Sequence, residues 1–391
     1  MPWYVFRFKL LVPTQPLEIL MLLTIALYIA SRIQARSWNP PRTPLEIPTA
    51  MLLIAGAIAI GVSPDHVGAL GLYRAYFLEP VALFYVAIDL LRTPQHFRAV
   101  LAGFAVASTT FAILNLGAWA LALLRHETIA TGNAPEALQT SPNAVAMFLE
   151  PGLAFAGGFI LYSTETRDRI VAFLGAVFML PALLLTLSRA GWLTLAVLVL
   201  IAVITLPQTR PKLVVLGAAV VGGLAMTQIP FVATRLARQL DPTFRDNTFE
   251  GRLHIWSDTL RMLADHPILG AGLRAYKQVM VPYVTGGRGP ELYPHNVYLA
   301  MWSELGLLGL VAFIGLLVLL LWLAWRGYAS ATGFYRPLLW GAAASVVTIV
   351  VHGAFDTPYF KNDLAVEFWM VAFVVIAARK LMATRNPAFE R

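Results

Sequence analysis

Apolar runs long enough to cross a bilayer alternate with short polar segments along most of the chain. At 1.5 Å per helical residue, each run approaches or exceeds the ~30 Å thickness of the hydrocarbon core. Lipid offers backbone groups no hydrogen bonds, so each run must satisfy its own, as a helix does. The pattern predicts an all-α, polytopic transmembrane bundle of about 11–12 spans. Eleven runs are visible, at residues 16–33, 47–62, 70–91, 97–122, 144–162, 170–187, 191–206, 213–229, 307–325, 337–352 and 364–380.

One segment breaks the alternation, because residues 230–294 are long, polar and rich in Arg, His, Gly and Pro. We expect a single integral membrane domain over residues 1–391, with 230–294 inserted as a loop that contains short helices. Within it, apolar residues recur three and four positions apart, which predicts an amphipathic helix on the membrane or over the spans. A second helix is predicted over 295–305, ended by Gly306. The apolar face of the first helix would consist of Leu253, Trp256, Leu260 and Leu263.

The distribution of basic residues orients the bundle. With 230–294 outside and the spans alternating, the short inner loops and the C-terminal tail hold 15 Lys and Arg, and the short outer loops hold 3. Lys and Arg in short loops favour the cytoplasmic side of a membrane. We therefore expect a multi-pass protein of the plasma membrane whose long loop lies on the outer face.

Composition supports the membrane assignment and narrows the chemistry. The 391 residues are 58% hydrophobic and 13% charged, about half the charged fraction of a soluble domain. The net charge of +8 comes from basic residues between apolar runs, so we expect contact with anionic lipids and no nucleic-acid partner. Cysteine is absent, which excludes disulfides, cysteine-ligated zinc and thiol catalysis.

Three short motifs follow one another in and before the long segment. Ser188-Arg189-Ala-Gly-Trp192 comes first, followed by Arg252 with Trp256 and then the block Asp265-His-Pro-Ile-Leu-Gly-Ala-Gly272. Last comes His295-Asn296, separated by nine residues from Gly306-Leu-Leu-Gly309. In this order and spacing the chain resembles the O-antigen ligase/polymerase family. Each motif alone would be a weak signal, because short Gly and Pro patterns recur by chance.

The resemblance implies a GT-C-like glycosyltransferase of the bacterial inner membrane, acting on the periplasmic face. Its donor would be a glycan on undecaprenyl diphosphate, and its acceptor a second glycan or the lipid A-core. The reaction would invert the configuration at C1 of the donor sugar, and it would need no metal ion or cofactor. Arg189 and Arg252 would hold the diphosphate, with Arg74 and Arg274 assisting, and His295 would deprotonate the acceptor. Further substrate-binding roles would fall to Asn296, Tyr298 and Asp356.

The residues themselves are consistent with this chemistry. Guanidinium groups bind phosphate in bidentate fashion, and the chain has no D-x-D pair of the kind that holds a divalent metal in many glycosyltransferases. Each arginine also has an ordinary interpretation. Arg189 could be an interfacial anchor, Arg252 part of a solvated helix face, and Arg74 the partner of Glu79 in a buried ion pair. Arg274, after a Gly-rich turn, has the weakest claim.

His295 is predicted in the first turn of a helix, where the partial positive charge of the helix N-terminus disfavours imidazolium. A neutral imidazole could accept a proton from a sugar hydroxyl, whereas a capping role would be purely structural. Asp356 follows a predicted span that ends near His352, and could orient His295, bind sugar, or serve only the fold. Asn296 and Tyr298 would orient His295 and the sugar.

Several activities stay open. We favour an O-antigen ligase slightly over a polymerase on overall size and motif spacing, and protein-glycosylating members of the family share the same motifs. A lipid or polysaccharide transporter is the alternative from another class, although charges deep in the predicted spans are few (Glu79, Glu150 and Glu367). A scaffold of an envelope complex would make every outer arginine dispensable.

Overall fold

The computed structural model describes residues 8–9, 13–36, 41–91, 93–127, 134–230, 232–234, 237, 248–285 and 289–384. These ranges contain 14 α-helices and one pairing of two-residue strands, β1 (Phe8–Lys9) and β2 (Pro13–Thr14), so the predicted all-α class is confirmed. The helices before the long segment are α1 (Pro16–Gln34), α2 (Glu46–Val62), α3 (His66–Tyr73), α4 (Glu79–Leu90), α5 (Pro94–Leu124), α6 (Pro142–Tyr162), α7 (Thr166–Leu185), α8 (Arg189–Thr205) and α9 (Thr209–Thr227). The remaining helices are α10 (Thr248–Asp265), α11 (Tyr276–Val279), α12 (Val297–Ser330), α13 (Tyr335–Gly353) and α14 (Asn362–Ala383).

Each of the eleven apolar runs coincides with a helix or helix pair. Among the helices that the structure describes, eight are long and apolar enough to cross a membrane, with α3 and α4 counted as one through the π-helical segment Arg74–Leu78. Two further apolar helices, α2 and α8, are shorter. The protein is a multi-pass membrane protein with a helical bundle as its core.

The centre of the bundle is formed by α6, α13 and α14, whose residues are buried on nearly all sides. Glycines allow α6 and α13 to touch at the backbone: a Cβ on Gly341 would lie 2.8 Å from the Phe155 Cα, and one on Gly158 would collide with the Pro337 carbonyl oxygen. Small residues at helix contacts are how membrane helices gain close packing. In contrast, Thr209–Thr227 has no buried residue along its described length, so α9 faces lipid.

Polar contacts define two ends of the bundle. At one end, called the site end, the Asn362 side-chain amide donates to Glu18 Oε1 at 2.6 Å, which joins the N-termini of α14 and α1. At the opposite end, the Tyr162 hydroxyl bonds Thr205 Oγ1 at 2.7 Å, which joins the C-termini of α6 and α8. The helices run alternately between these ends, as the hydropathy pattern predicts.

The helix α10 packs on the site end by a face that coincides only in part with the apolar face that periodicity predicts. Leu263 is buried with Met262, whereas Leu253 and Leu260 are exposed. The buried side also carries Thr259, whose hydroxyl lies 2.7 Å from the Tyr276 hydroxyl. The helix has 18 residues, so it extends beyond the predicted apolar positions at both ends. Two of the four predicted apolar residues are therefore exposed, and the predicted contact of this face with the membrane stays a prediction.

The motif glycines bring the segment after α10 onto α12. Gly306 has φ 72° and kinks α12, and its missing side chain lets the Ile268 carbonyl approach. A Cβ on Gly272, at φ 90°, would lie 2.7 Å from the Ser63 backbone nitrogen at the end of α2. The helix predicted over 295–305 starts two residues later than expected, at Val297, and the predicted break at Gly306 is confirmed, because the backbone of Gly306 is non-helical and separates this helix from the span that follows within α12.

Candidate active site at the site end of the bundle

His295 stands directly before α12, in a backbone conformation that few side chains adopt. Its φ is 49°, a left-handed value that costs a non-glycine residue about 1–2 kcal/mol. Asn296 is the N-cap, and its Oδ1 accepts the backbone N–H groups of Tyr298 and Leu299 at 3.0 Å. The prediction placed His295 in the first helical turn, but it lies two residues before the first residue of α12. Strained residues of this kind are concentrated at functional sites.

Asp356 is fixed from three sides in the connection between α13 and α14. Its backbone N–H donates to the His352 carbonyl at 2.9 Å, and its Oδ1 accepts the Thr357 N–H at 2.9 Å. Its Oδ2 accepts the side-chain amide of Asn143, at the start of α6, at 2.7 Å. The residue is 2% exposed. The carboxylate therefore has a defined position before any ligand arrives.

The fold brings His295 and Arg252 to this carboxylate. His295 Nδ1 lies 3.6 Å from Asp356 Oδ1, and Arg252 Nη2 lies 3.9 Å from Asp356 Oδ2. The Tyr293 ring lies against the imidazole, with 4.5 Å between ring centroids. We call Arg252, His295 and Asp356 the His–Asp–Arg cluster. Its members come from α10, the residue pair before α12, and the loop after α13.

The electrostatics of the cluster favour a charged carboxylate. Burial alone would raise the pKa of Asp356, but His295, His352 and Arg252 more than offset it and hold that pKa well below its ordinary value. Burial lowers the pKa of the Arg252 guanidinium, an effect partly opposed by Asp356. The Arg252 side chain is only 16% exposed, so its charge is weakly screened by water. One carboxylate thus faces two groups able to carry positive charge.

The helix α10 is held in register with His295 by its tryptophan. Trp256 Nε1 donates to the Pro294 carbonyl at 3.0 Å. Arg252 lies four residues earlier on the same helix, so this bond places its guanidinium beside the turn that carries His295. The spacing between Arg252 and Trp256 in the sequence motif has a direct structural reason.

Arg189 is the first residue of α8 and is partly buried at the same end of the bundle. The preceding N-cap, Ser188, accepts the Gly191 N–H through its Oγ at 3.2 Å. A Cβ on Gly191 would meet the Ala146 side chain at 3.1 Å, one helical turn from Asn143. This packing joins the helix that carries Arg189 to the helix that anchors Asp356.

Arg74 and Arg274 have other partners. Arg74 lies between two carboxylates, with Nη2 3.3 Å from Glu18 Oε1 and Nε 3.0 Å from Glu79 Oε1. Arg274 has φ 64°, its guanidinium lies 3.2 Å from Asp65 Oδ2, and its backbone N–H donates to the Glu304 carboxylate. The structure thus brings neither arginine to Asp356 through any contact that it shows.

Asn296 and Tyr298 contact the backbone of α13 and the residue after it. The Asn296 amide donates to the Ala354 carbonyl at 3.1 Å, and the Tyr298 hydroxyl donates to the Val350 carbonyl at 2.9 Å. Ala354 precedes Asp356 by two residues. Both side chains therefore tie the turn that carries His295 to the segment that carries Asp356, and orient His295 through the backbone.

Residues 174–314 match the family described as O-antigen ligase. This segment of the chain is similar to the O-antigen ligase family. The match confirms the resemblance read from the motifs and supports a glycosyltransferase-type enzyme of O-antigen assembly. No curated protein matches the chain.

The O-antigen ligase match includes Arg189, Arg252 and His295, but ends before Asp356 and begins after Asn143. Folding therefore completes the His–Asp–Arg cluster with residues from outside the matched segment. Sequence reasoning missed two of its neighbours, Asn143 and Tyr293. The available signals were small: Asn143 follows a proline at the start of a span, and Tyr293 precedes Pro294-His295.

Proposed function

We propose that this protein transfers a glycan from undecaprenyl diphosphate to an acceptor hydroxyl, as an O-antigen ligase at the periplasmic face of the bacterial inner membrane. The observation that carries the proposal is the His–Asp–Arg cluster, in which His295 and Arg252 lie 3.6 and 3.9 Å from one buried carboxylate. A proton acceptor beside a group that binds phosphate is what glycosyl transfer from a lipid diphosphate requires.

The arginines would stabilise the leaving group. As the bond between C1 and the phosphate oxygen breaks, negative charge develops on the diphosphate. Arg252 is nearly buried, so its interaction with that charge would be stronger than in water. Arg189, at the N-terminus of α8, would add a second guanidinium from the same end of the bundle. Two arginines can neutralise a diphosphate by bidentate contacts, the charge compensation that a metal ion provides in other transferases.

His295 would accept the proton of the acceptor hydroxyl. Its Nδ1 faces Asp356, so an N–H at Nδ1 would point to the carboxylate and leave Nε2 to accept the acceptor's hydroxyl proton. The hydroxyl oxygen then forms a bond to C1 while the C1–O bond to the diphosphate breaks on the opposite face. Attack in line inverts the anomeric centre, the proton resides on His295, and the lipid diphosphate departs with the bonding electron pair.

The donor set supports metal independence. Asp356 is the carboxylate of the cluster, and its oxygens already accept bonds from Asn143 and Thr357. Elsewhere in the described ranges, no group of three His, Asp or Glu residues is placed to hold a metal ion. We therefore propose that transfer continues when a chelator is present.

Transport is the second candidate, because ionisable residues are buried within the helices of the bundle. His352 Nδ1 lies 2.6 Å from Glu150 Oε1, and Glu367 is buried in α14. Ionisable side chains inside membranes commonly mark ion or substrate paths. We place transport second because the residues of the O-antigen ligase motifs gather at the site end instead.

One reconstitution experiment tests the function. Purified protein in detergent is incubated with an undecaprenyl-diphosphate glycan, with either a lipid A-core or a second glycan as acceptor, and with EDTA. Product formation without a membrane gradient supports transfer, and the product mass separates ligation to lipid A-core from extension of a glycan. Failure with both acceptors, together with glycolipid movement across vesicle membranes, would favour transport.

A further inference from the structure

The turn after α10 exposes apolar side chains at the site end of the bundle. Ile268 is 70% exposed and Leu269 is 48% exposed, although they follow the polar residues Asp265 and His266. Exposed apolar side chains this close together mark a contact surface rather than a random surface position. We call residues 266–269 the apolar turn.

The backbone of the apolar turn is held rigidly against α12. The Leu307 N–H donates to the Ile268 carbonyl at 2.9 Å, and the Ala271 N–H donates to the Ser303 carbonyl at 2.7 Å. Trp302 Nε1 donates to the Pro267 carbonyl at 2.7 Å. The turn is thus locked to the helix at the level of the Gly306 kink.

The length of α12 indicates how deep the Gly306 kink lies in the membrane. Between Glu304 and Arg326 the helix has no charged residue. About 20 residues at 1.5 Å each fill the ~30 Å hydrocarbon core. If the core ends near Arg326 at the far side, it begins near Leu307 at the site end. Trp302, one turn earlier, would then lie at the interface, where tryptophan is enriched.

The exposed surface of the turn is also continuous with the lipid-facing side of α12. Leu307 carries the N–H that bonds the turn, and its side chain is exposed, as are those of Val311 and Val318 further along the span. Non-helical backbone is tolerated at membrane depth only when its polar groups are bonded within the protein. The bonds from Leu307, Ala271 and Trp302 meet that condition.

We propose that the apolar turn is inserted into the outer boundary of the hydrocarbon core, with Ile268 and Leu269 in contact with lipid acyl chains near the headgroups. The long segment is therefore attached to the bilayer and does not stand free in water. This attachment rests on α12 and the turn alone, and holds whatever reaction the His–Asp–Arg cluster performs.

The absence of cysteine permits a direct depth measurement. Ile268→Cys is labelled with an environment-sensitive NBD fluorophore and reconstituted into phosphatidylcholine vesicles that contain lipid with a doxyl quencher at carbon 5 or carbon 12. Matched controls are Val318→Cys, on the lipid-facing side of α12, and Lys277→Cys, on an exposed polar residue of α11.

The proposal expects a blue-shifted emission at position 268, with more quenching by the carbon-5 quencher than by the carbon-12 quencher. Position 318 should show the reverse order, and position 277 should show red-shifted emission with little quenching. Emission at 268 like that at 277 would overturn the proposal. A blue shift without quenching would also overturn it, because a protein surface and not lipid would then cover the turn.

Discussion

Two arginine–carboxylate clusters lie at the site end of the bundle, and they differ in their balance of charge. In the His–Asp–Arg cluster, one carboxylate faces a guanidinium and an imidazole. In the second cluster, one guanidinium, that of Arg74, faces the carboxylates of Glu18 and Glu79. The first cluster can accept a further anion, whereas in the second two carboxylates already outnumber the single guanidinium.

The contact distances also differ between the two clusters. The contacts of Asp356 with His295 and Arg252, at 3.6 and 3.9 Å, are longer than hydrogen bonds. Those of Arg74 are 3.0 and 3.3 Å. A binding site keeps some of its bonding capacity for the ligand, whereas an ion pair that stabilises a fold uses it internally. The comparison assigns chemistry to Arg252 and a structural role to Arg74, and the predictions below test it.

The largest effect is expected for His295→Ala. General-base catalysis contributes roughly 10²- to 10⁴-fold, so the transfer rate should fall by about that factor at unchanged protein level. The rate is measured with purified protein and lipid-linked donor. His254→Ala, on the exposed side of α10, is the matched control and should keep the wild-type rate. Equal rates for His295→Ala and wild type would remove His295 from the mechanism.

Asp356→Asn should have a smaller effect than His295→Ala. The amide keeps the shape but removes the charge that orients His295, so transfer should fall by about 10- to 100-fold, less than the full general-base contribution. The pKa of Asp356 lies below its ordinary value, so its stabilising charge is present above about pH 4 and is lost only as pH falls further. The ratio of wild-type to variant rates should therefore stay constant from pH 5 to pH 8. A ratio that collapses within this range would show that Asp356 is protonated there.

Asn143→Ala tests whether the carboxylate needs its anchor. Loss of the 2.7 Å bond should lower transfer by about tenfold, equivalent to ~1.4 kcal/mol, because Asp356 can then rotate away from His295. Asn115→Ala is the matched control, since this asparagine bonds only backbone groups in its described contacts. It should lower thermal stability without a selective loss of transfer. If both variants lose transfer only in proportion to folded protein, Asn143 has no positioning role.

The smallest effect is expected at Glu136, a carboxylate whose pKa is raised by burial, in contrast to that of Asp356. Burial raises the pKa of Glu136 to about 7, an effect only partly opposed by Lys361. The stability that it contributes is full below about pH 4.5 and is lost as pH rises through about 7. Glu136→Gln should therefore reduce the loss of Tm between pH 5 and pH 8.5 in detergent. Glu127→Gln, at an exposed position of the same connection, should leave that loss unchanged.

The sequence was sufficient to predict the spans, but it was not sufficient to predict the contacts between them. Each apolar run became a helix within a few residues, because lipid leaves a long apolar segment no other structure. Boundaries set by single side chains were wrong: Asn296 caps α12 and leaves His295 outside it. The buried Thr259 shows a further limit, since the apolar periodicity of α10 did not indicate that this polar side chain would face the protein and contact the Tyr276 hydroxyl.

In the candidate site, too, single residues could be predicted but the contacts between them could not. His295 and Arg252 could be selected from motif spacing, but their meeting with Asp356 depends on tertiary packing. Asn143 and Asp356 are separated by 213 residues, and neither lies in the segment that matches the O-antigen ligase family. No local pattern joins positions so far apart. The structure supplies that pairing, and with it the reason for assigning different roles to Arg252 and Arg74.

The most direct test of that difference is a paired measurement of transfer by Arg252→Gln and Arg74→Gln with an undecaprenyl-diphosphate glycan as donor. Arg252→Gln should lower transfer by about 10²- to 10³-fold, the usual cost of removing one group that stabilises developing charge. Arg74→Gln should mainly lower thermal stability, because Glu18 and Glu79 lose their cation, and should keep transfer per folded molecule within about tenfold of wild type. Equal losses of transfer in the two variants, or a larger loss for Arg74→Gln, would contradict the assignment of the reaction to the His–Asp–Arg cluster.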